Sequence, residues 1–199
     1  MIQLNPPNKG EIDQRIEQLS SLYTGKDAIY ISGAITTGKN YVSWYVNHGK
    51  RIENEVEFNK QHYSVVITKN LDNIKDFTAN LRFKSKDLII EPASLEVDEW
   101  TQPDYLYYWG QVIIKFVRKI VFLDGWNYSN GCIFEYYIGL KNNIELVDQK
   151  FKLLNQVNAI SRIKASIREY EKSKINVEFQ KTLLHEIEKN ENYNQQTKV

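Results

Sequence analysis

Short apolar runs separated by stretches with helical spacing constrain the fold of this chain more than any other feature. The runs are rich in β-branched residues and occupy positions 28–31, 63–68, 88–90, 120–123 and 144–147. Runs of this kind predict buried strands, and strands that alternate with helices favour a parallel sheet covered on both faces. We therefore predict an α/β fold with a five-stranded parallel sandwich of the flavodoxin-like or Rossmann-like kind and an added C-terminal helical segment.

The predicted sheet divides the chain into four parts. Residues 1–26 form an N-terminal arm and helix, and residues 27–148 form the α/β domain. Residues 149–190 form a helical extension, in which apolar residues recur every three or four positions, and the Asn- and Gln-rich residues 191–199 are predicted to be a disordered tail. Because a single helix cannot bury such an apolar stripe, the extension either wraps the sheet or pairs with a second copy. A homodimer is therefore one expectation.

Composition excludes several classes of function. Basic residues number 26 and acidic residues 25, so a net charge of +1 gives no strong signal for nucleic acid or membrane. No apolar run approaches a membrane span and the polar start does not resemble a signal peptide, so we expect a cytoplasmic location. The single cysteine, Cys132, excludes an internal disulfide, and we expect no metal and no cofactor. His48, His62 and His185 have no ligand spacing and are interpreted as ordinary.

A turn of small residues follows the first predicted strand. It contains two glycines and three hydroxyl residues, Ser32, Gly33, Thr36, Thr37 and Gly38. Such a turn can bring backbone N–H groups close to an anion at the start of the next helix. A tight strand-to-helix connection uses the same residue types, and the stretch is neither a Walker loop nor a dinucleotide fingerprint, so both interpretations stay open.

A second polar loop follows the predicted strand at 120–123. It reads Asp-Gly-Trp-Asn-Tyr-Ser-Asn-Gly and leads into a segment with helical spacing that contains Glu135. Open α/β sheets bind ligands at the carboxyl ends of their strands, so this loop is a candidate site. Glu135 is either a solvated helix carboxylate, which is the commoner case, or a group that points over the strand ends.

Two motifs on these strands occur in a recognisable order. The first is Tyr30-Ile31-Ser32-Gly33-Ala34-Ile35-Thr36-Thr37-Gly38, and the second is Trp126-x-x-Ser129-x-Gly131-x-x-x-Glu135. Together with Pro92 after the third predicted strand, they resemble the nucleoside 2-deoxyribosyltransferase-like superfamily, which includes deoxynucleoside monophosphate N-glycosidases. The resemblance covers roughly residues 27–148 and says nothing about residues 149–199.

The resemblance implies a reaction and a set of site residues. Glu135 would be the nucleophile that attacks the anomeric carbon of a nucleoside or nucleotide, and Tyr30 would orient its carboxylate. Ser129 and Gly131 would offer a hydroxyl and an N–H to a 5′-phosphate. The implied substrate-binding residues come from both loops: Ser32, Gly33, Ile35, Thr36, Thr37, Gly38, Trp126, Ser129, Asn130 and Gly131.

The chain departs from the family at one position. The family has an aspartate on the helix before the fourth strand, where this chain has Gly110 and Gln111. Asp104, about two turns earlier on that helix, is the catalytic candidate for the missing role, although an acid there also favours the helix dipole. Gln111 is a further candidate for substrate binding. The alternatives to an N-glycosidase or deoxyribosyltransferase are a nucleotide-binding or sensing module without turnover, and an interaction protein that acts through its C-terminal helices.

Overall fold

The computed structural model describes residue 2 and residues 4–196, with side chains described to residue 190. Its helices are α1 (Lys9–Leu22), α2 (Lys39–Asn47), α3 (Glu55–His62), α4 (Thr68–Lys84), α5 (Gln102–Phe116), α6 (Asn130–Lys141), α7 (Gln156–Lys172) and α8 (Glu178–Gln196). Its strands are β1 (Ala28–Ser32), β2 (Ile89–Ile90), β3 (Val117–Phe122) and β4 (Glu145–Asp148). In these ranges, every helix is too short or too polar to cross a lipid bilayer.

The four strands form one parallel sheet in the order β2-β1-β3-β4, which confirms the predicted α/β class. The chain passes from β1 to β2 on one side and then crosses to β3 on the other side of β1. The carboxyl ends of β1 and β3 therefore lie side by side where the strand order reverses, which is where open α/β sheets bind ligands. In register, Tyr30 pairs with Ile120 and Ser32 with Phe122.

The predicted strand at 63–68 is wrong. Helix α3, a π-helical turn over Tyr63–Ile67 and helix α4 follow one another directly. The buried residues of this stretch recur every four positions: Val66, Asn70, Ile74 and Thr78. Because two of these four are polar, hydrophobic spacing did not show that the helical face extends back to Val66. The described residues contain four strands, and a five-stranded flavodoxin-like or Rossmann-like layout is not established.

The side chains of β1 alternate between two cores, as the geometry of a strand requires. Ile29 and Ile31 pack with Ile74 of α4 on one face of the sheet. Tyr30 packs on the other face, in a larger core that includes Ile133 of α6. Ser32 is two residues from Tyr30 and therefore points to the α6 face.

The C-terminal helices pack against the rest of the chain. Their buried residues include Ile163, Ile167, Leu183 and Ile187, which belong to the same core as α6. Burial within one chain is the first of the two arrangements that the sequence left open, and a homodimer stays a prediction. The predicted disordered tail overlaps the end of α8, and residues 197–199 lie outside the described residues.

Candidate active site

Glu135 lies against the carboxyl end of β1, where two hydroxyl groups hold its carboxylate. Tyr30 Oη donates to Glu135 Oε1 at 2.7 Å, and Ser32 Oγ donates to Oε2 at 2.5 Å. Tyr30 and Ser32 are fully buried and Glu135 is 8% exposed. The alternation of β1 places both hydroxyls on one face, and α6 brings the glutamate to that face. We call Tyr30, Ser32 and Glu135 the carboxylate site.

The surroundings of Glu135 favour the neutral form of its carboxyl group more than water would. Burial raises the pKa of Glu135 to about 7, and the hydrogen bonds from Ser32 and Tyr30 oppose this rise without cancelling it. Near neutral pH the carboxyl group therefore populates both protonation states. Burial, followed by the charge of Glu135, raises the pKa of Tyr30 well above its usual value, so the phenol stays protonated and can donate.

Cys132 adjoins the carboxylate site but is poorly suited to act as a nucleophile. Burial, and then the charge of Glu135, raises the pKa of its thiol to about 12. The thiolate is the reactive form of cysteine, so the neutral thiol is inert at physiological pH.

Ser129 defines the start of α6. Its backbone is extended, and its Oγ accepts a hydrogen bond from the Cys132 N–H, which is a typical N-cap. Asn130 and Gly131 follow in the first turn, where backbone N–H groups have no partner within the helix and attract anions. The capping bond gives Ser129 a structural role, and its predicted contact with a phosphate stays a prediction.

Two cavities flank the turn after β1, and Glu135 lines neither of them. The first, which we call the polar cavity, has a volume of about 180 Å³ and lies between the turn and α4. It is lined by residues that include Gly33, Gly38, Lys39 and Asn70. The predicted substrate-binding glycines of the turn therefore face a space that is lined by one lysine, Lys39, and one aspartate, Asp124.

Asn70 holds the turn after β1 in place. Its Nδ2 donates to the carbonyl oxygens of Ile35 and Thr37, at 2.8 Å and 2.9 Å, and its Oδ1 accepts from Asn40 at 2.8 Å. The sequence analysis missed this residue. The signal that could have found it is a polar residue in step with the buried face of α4, since a buried amide needs partners.

The second cavity, which we call the aromatic cavity, has a volume of about 240 Å³ and lies between the turn and the C-terminal helices. Its walls carry the rings of Tyr41, Phe58, His62, Tyr128 and Tyr170. Three predicted substrate-binding residues, Thr36, Thr37 and Asn130, also line it. The structure therefore brings the β1 turn and the start of α6 to one cavity, together with aromatic residues that the sequence analysis did not select.

His62 is one of these missed residues. Its Nε2 lies 2.7 Å from the Thr36 carbonyl oxygen, which can only accept, so Nε2 carries the proton. Its ring stacks on Trp44 with a centroid distance of 5.5 Å. His62 thus joins α3 to the turn through contacts that are distant in sequence, which is why spacing alone gave no signal.

The C-terminal helices anchor the loop that follows β3. The carbonyl oxygen of Tyr128 accepts hydrogen bonds from Tyr170 Oη at 2.9 Å and from Gln180 Nε2 at 3.1 Å. The carbonyl of Asn127, one residue earlier, accepts from Ser166 Oγ at 2.5 Å. The extension that the resemblance does not cover therefore fixes the loop that leads to Glu135.

Trp126, Gln111 and Ile35 line neither cavity and are not among the hydrogen-bond partners of Glu135. Trp126 is buried in the core, with its ring 5.0 Å from Phe122 and 5.1 Å from Tyr136 between centroids. Gln111 is half-buried on α5, and Ile35 packs against the core on the α4 face of the sheet. These positions favour structural roles for Trp126 and Ile35.

Asp104 caps α5 and is not among the hydrogen-bond partners of Glu135. It is fully buried and accepts from the N–H groups of Thr101 and Asn8, from the Thr101 hydroxyl and from the Asn8 amide. Burial alone would raise its pKa, but the hydrogen bonds from Thr101 and Asn8 outweigh burial and lower it. The structure therefore shows the capping role that the sequence also allowed.

Comparison of the chain with family models, curated proteins and solved structures found no match. In the part of the chain that the structure describes, no group of three or more His, Cys, Asp or Glu side chains is arranged to hold a metal ion.

Proposed function

We propose that this chain cleaves or transfers the N-glycosidic bond of a nucleoside or nucleotide, with Glu135 as the nucleophile. The observation that carries the proposal is the carboxylate site, in which a buried carboxylate is held by two neutral hydroxyls at the carboxyl end of β1. A buried carboxylate without a cationic partner destabilises a fold, and groups with such perturbed pKa values cluster at functional sites. The resemblance of the two motifs supplies the reaction class.

The reaction would proceed in two steps. Ionised Glu135 attacks the anomeric carbon, the bond from that carbon to the base nitrogen breaks, and the base leaves with the electron pair and takes up a proton from solvent. The resulting ester between Glu135 and the sugar is then opened by water at the same carbon, which releases the sugar and restores the carboxylate. If a second base replaces water, the sugar is transferred instead.

Tyr30 and Ser32 would position the carboxylate for this attack. Each hydroxyl occupies one of the two oxygens, so both oxygens keep a free lone pair. The hydrogen bonds also restrict rotation of the carboxylate, and fixed orientation is a large part of the advantage that an enzyme has over water.

Substrate entry would involve the turn after β1. Glu135 is 8% exposed and lines neither cavity, so the sugar must reach it past the turn or the first turn of α6. Asn70 and His62 hold the turn by its carbonyl oxygens. These contacts are side-chain hydrogen bonds that a small movement of the turn can break.

The test replaces Glu135 by Gln and measures release of free base from nucleosides, 2′-deoxynucleosides, their 5′-monophosphates and NAD. We expect a loss on the order of 10³-fold or more, because a neutral amide is a poor nucleophile. The matched control is Glu17→Gln, an exposed position on α1, which should leave the rate unchanged. Base release that survives in Glu135→Gln would remove Glu135 from the reaction.

A covalent intermediate offers a second, independent readout. A nucleoside whose sugar carries fluorine at C2′ should slow hydrolysis of the glycosyl-enzyme, because fluorine destabilises an oxocarbenium-like transition state. Intact-mass measurement should then show one sugar added to the wild-type chain and none added to Glu135→Gln. An adduct on another residue would assign the nucleophile elsewhere.

A nucleotide-binding or sensing module without turnover is the second candidate. It is favoured by one observation, which is that the hydrogen-bond partners of Glu135 are hydroxyls and include no second carboxylate. Asp104, the carboxylate nearest in sequence to Gly110 and Gln111, instead accepts the hydrogen bonds of the α5 cap. Calorimetry that shows tight binding of a nucleotide, with no base released over hours, would select this candidate. An interaction protein has less support, because the stripes of α7 and α8 are buried within the chain.

A further inference from the structure

The aromatic cavity is completed by the C-terminal extension, which lies outside the resemblance. Four of its lining residues come from α7, α8 and their connection: Tyr170, Ile175, Asn176 and Gln180. The other walls are the turn after β1, the helices α2 and α3, and the loop before α6. The cavity therefore depends on the C-terminal extension and is not formed by the α/β domain alone.

The rings of the aromatic cavity form two contacting groups. Tyr41 meets His62 edge-on at 5.3 Å between centroids, and Tyr128 meets Tyr170 edge-on at 5.7 Å. No Lys, Arg, Asp or Glu is among the residues that line the cavity. Aromatic walls without charged side chains suit a neutral planar heterocycle. Stacking of one base on such rings stabilises binding by about 1–3 kcal/mol.

Gln180 provides a second observation that points to a ligand. It is 2% exposed, and its Nε2 donates to the Tyr128 carbonyl, which fixes the orientation of the amide because a carbonyl can only accept. Its Oε1 is buried and has no hydrogen-bond partner among the described residues. Leaving a buried acceptor unpaired costs roughly 1–3 kcal/mol, and a ligand N–H would remove this cost once a small shift of the Gln180 side chain turns Oε1 toward the cavity.

We infer that the aromatic cavity binds a nucleobase with an exocyclic amine, which stacks on the aromatic walls and donates to Gln180 Oε1. At about 240 Å³, the cavity is smaller than the roughly 300–1,000 Å³ of sites for larger ligands, so it suits a base rather than a whole nucleotide. The sugar would then lie toward Thr36, Thr37 and Asn130, which line the same cavity. This inference deepens the proposed function, but its test measures binding and needs no cleavage.

The test compares ligands that differ by one amino group. Adenosine is paired with purine riboside, and cytidine with 2-pyrimidinone riboside, and each is titrated by calorimetry into Glu135→Gln so that turnover cannot consume it. We expect each amino compound to bind roughly tenfold more tightly than its partner, the effect of one hydrogen bond to a buried acceptor.

Two variants, each with a matched control, assign this preference to the cavity. Gln180→Leu should bring the affinity ratio of each pair close to one. Gln156→Leu also loses a hydrogen bond from a side-chain amide to a backbone carbonyl, and it should keep the ratio of the parent protein. Tyr41→Leu should weaken binding of all four probes by about tenfold through lost stacking. Tyr63→Leu, at an exposed ring outside the cavity, should leave binding unchanged.

Equal affinity within each pair, an amino preference that survives Gln180→Leu, or no binding of any probe at millimolar concentration would overturn the inference. If Gln180→Leu lacks a cooperative thermal transition, and so does not fold, Tyr41→Leu becomes the deciding test. Unchanged affinity of Tyr41→Leu for the probes would then overturn the inference. Base release that depends on Glu135 without an amino preference would leave the proposed function standing and remove this inference. An amino preference without base release would leave this inference standing and remove the proposed function.

Discussion

The start of α5 and the middle of α6 each bury one carboxylate, and the two surroundings differ in the donors they provide. Asp104 receives two backbone N–H groups, a hydroxyl and an amide, and these hydrogen bonds hold its pKa below the usual value against the effect of burial. Glu135 receives two hydroxyls, and burial raises its pKa to about 7. The charged form is stabilised at Asp104 and disfavoured at Glu135.

The ionised form of Asp104 therefore stabilises the fold, whereas the ionised form of Glu135 destabilises it. At Asp104 every donor belongs to a helix cap, so ionisation and helix formation support each other. At Glu135 the ionised form costs stability, and an amide or an apolar residue would avoid that cost. Costly groups of this kind are expected where function, rather than folding, selects the residue.

Among these variants, Glu135→Gln should have the largest effect on stability. The pKa of Glu135 in the folded state, about 7, lies above the reference value of 4.5, so the folded state binds the proton more tightly than the unfolded state. The stability that this proton contributes is therefore fully present below pH 4.5 and is lost as the pH rises to 7. Above pH 7 the variant should be more stable than the wild type by up to about 3 kcal/mol, since Gln keeps hydrogen bonds to both hydroxyls. Urea unfolding at pH 5 and pH 8 measures this; a variant that is less stable at pH 8 contradicts it.

The rate of base release should depend on the same ionisation. Because attack requires the carboxylate, kcat/KM should rise about tenfold per pH unit below pH 7 and level off above it. Rates measured from pH 5 to pH 9, with folding checked by circular dichroism at each pH, test this. A rate that falls as the pH rises through 7 would make Glu135 a general acid instead of a nucleophile.

Asp104→Asn should have a smaller effect of the opposite sign. The new NH₂ group faces donors that now bond to the carboxylate, so the variant should lose about 1–2 kcal/mol at pH 7. The penalty should shrink as the pH falls below 3.8, where the aspartate itself becomes protonated. Asp98→Asn, in the exposed loop before α5, is the control. Base release lost in Asp104→Asn without a loss of stability would restore a catalytic role.

The smallest effect is expected for Tyr30→Phe. The Tyr30 hydroxyl lowers the pKa of Glu135, so its removal should shift the midpoint of the rate profile to higher pH. Loss of one such bond should reduce the rate at pH 7 by roughly tenfold or less. The pH profile distinguishes this from a structural effect, because a midpoint that stays in place would mean that Tyr30 does not tune the glutamate.

Sequence spacing predicted the elements on which the carboxylate site is built. The apolar runs at 28–31 and 120–123 lie within or overlap β1 and β3, and the second motif leads into α6 as expected. The resemblance implied Tyr30 as the partner of Glu135 and assigned Ser32 to the substrate, although residues two apart on a strand share a face. The hydrogen bond from Ser32 was therefore within reach of sequence reasoning.

The aromatic cavity could not be predicted in the same way. Its walls combine residues from 36 to 180, and such distant contacts are set by packing rather than by local spacing. The run at 63–68 failed for a related reason, because a short apolar run fits a strand and a helix equally well. Only the burial of Val66, with Tyr63 and Val65 exposed, decides between them.

The π-helical turn over Tyr63–Ile67 has a consequence for the phase of the helix that contains it. In a regular α-helix, residues eight apart are rotated by about 80° from one another, so His62 and Asn70 would point in different directions. The extra residue of a π-turn reduces this offset to about 20°, and both side chains reach the carbonyl oxygens of one turn. Inserting a single residue into Tyr63–Ile67 would restore an offset of about 80°, rotate one of them away and leave the turn after β1 held at only one of these points.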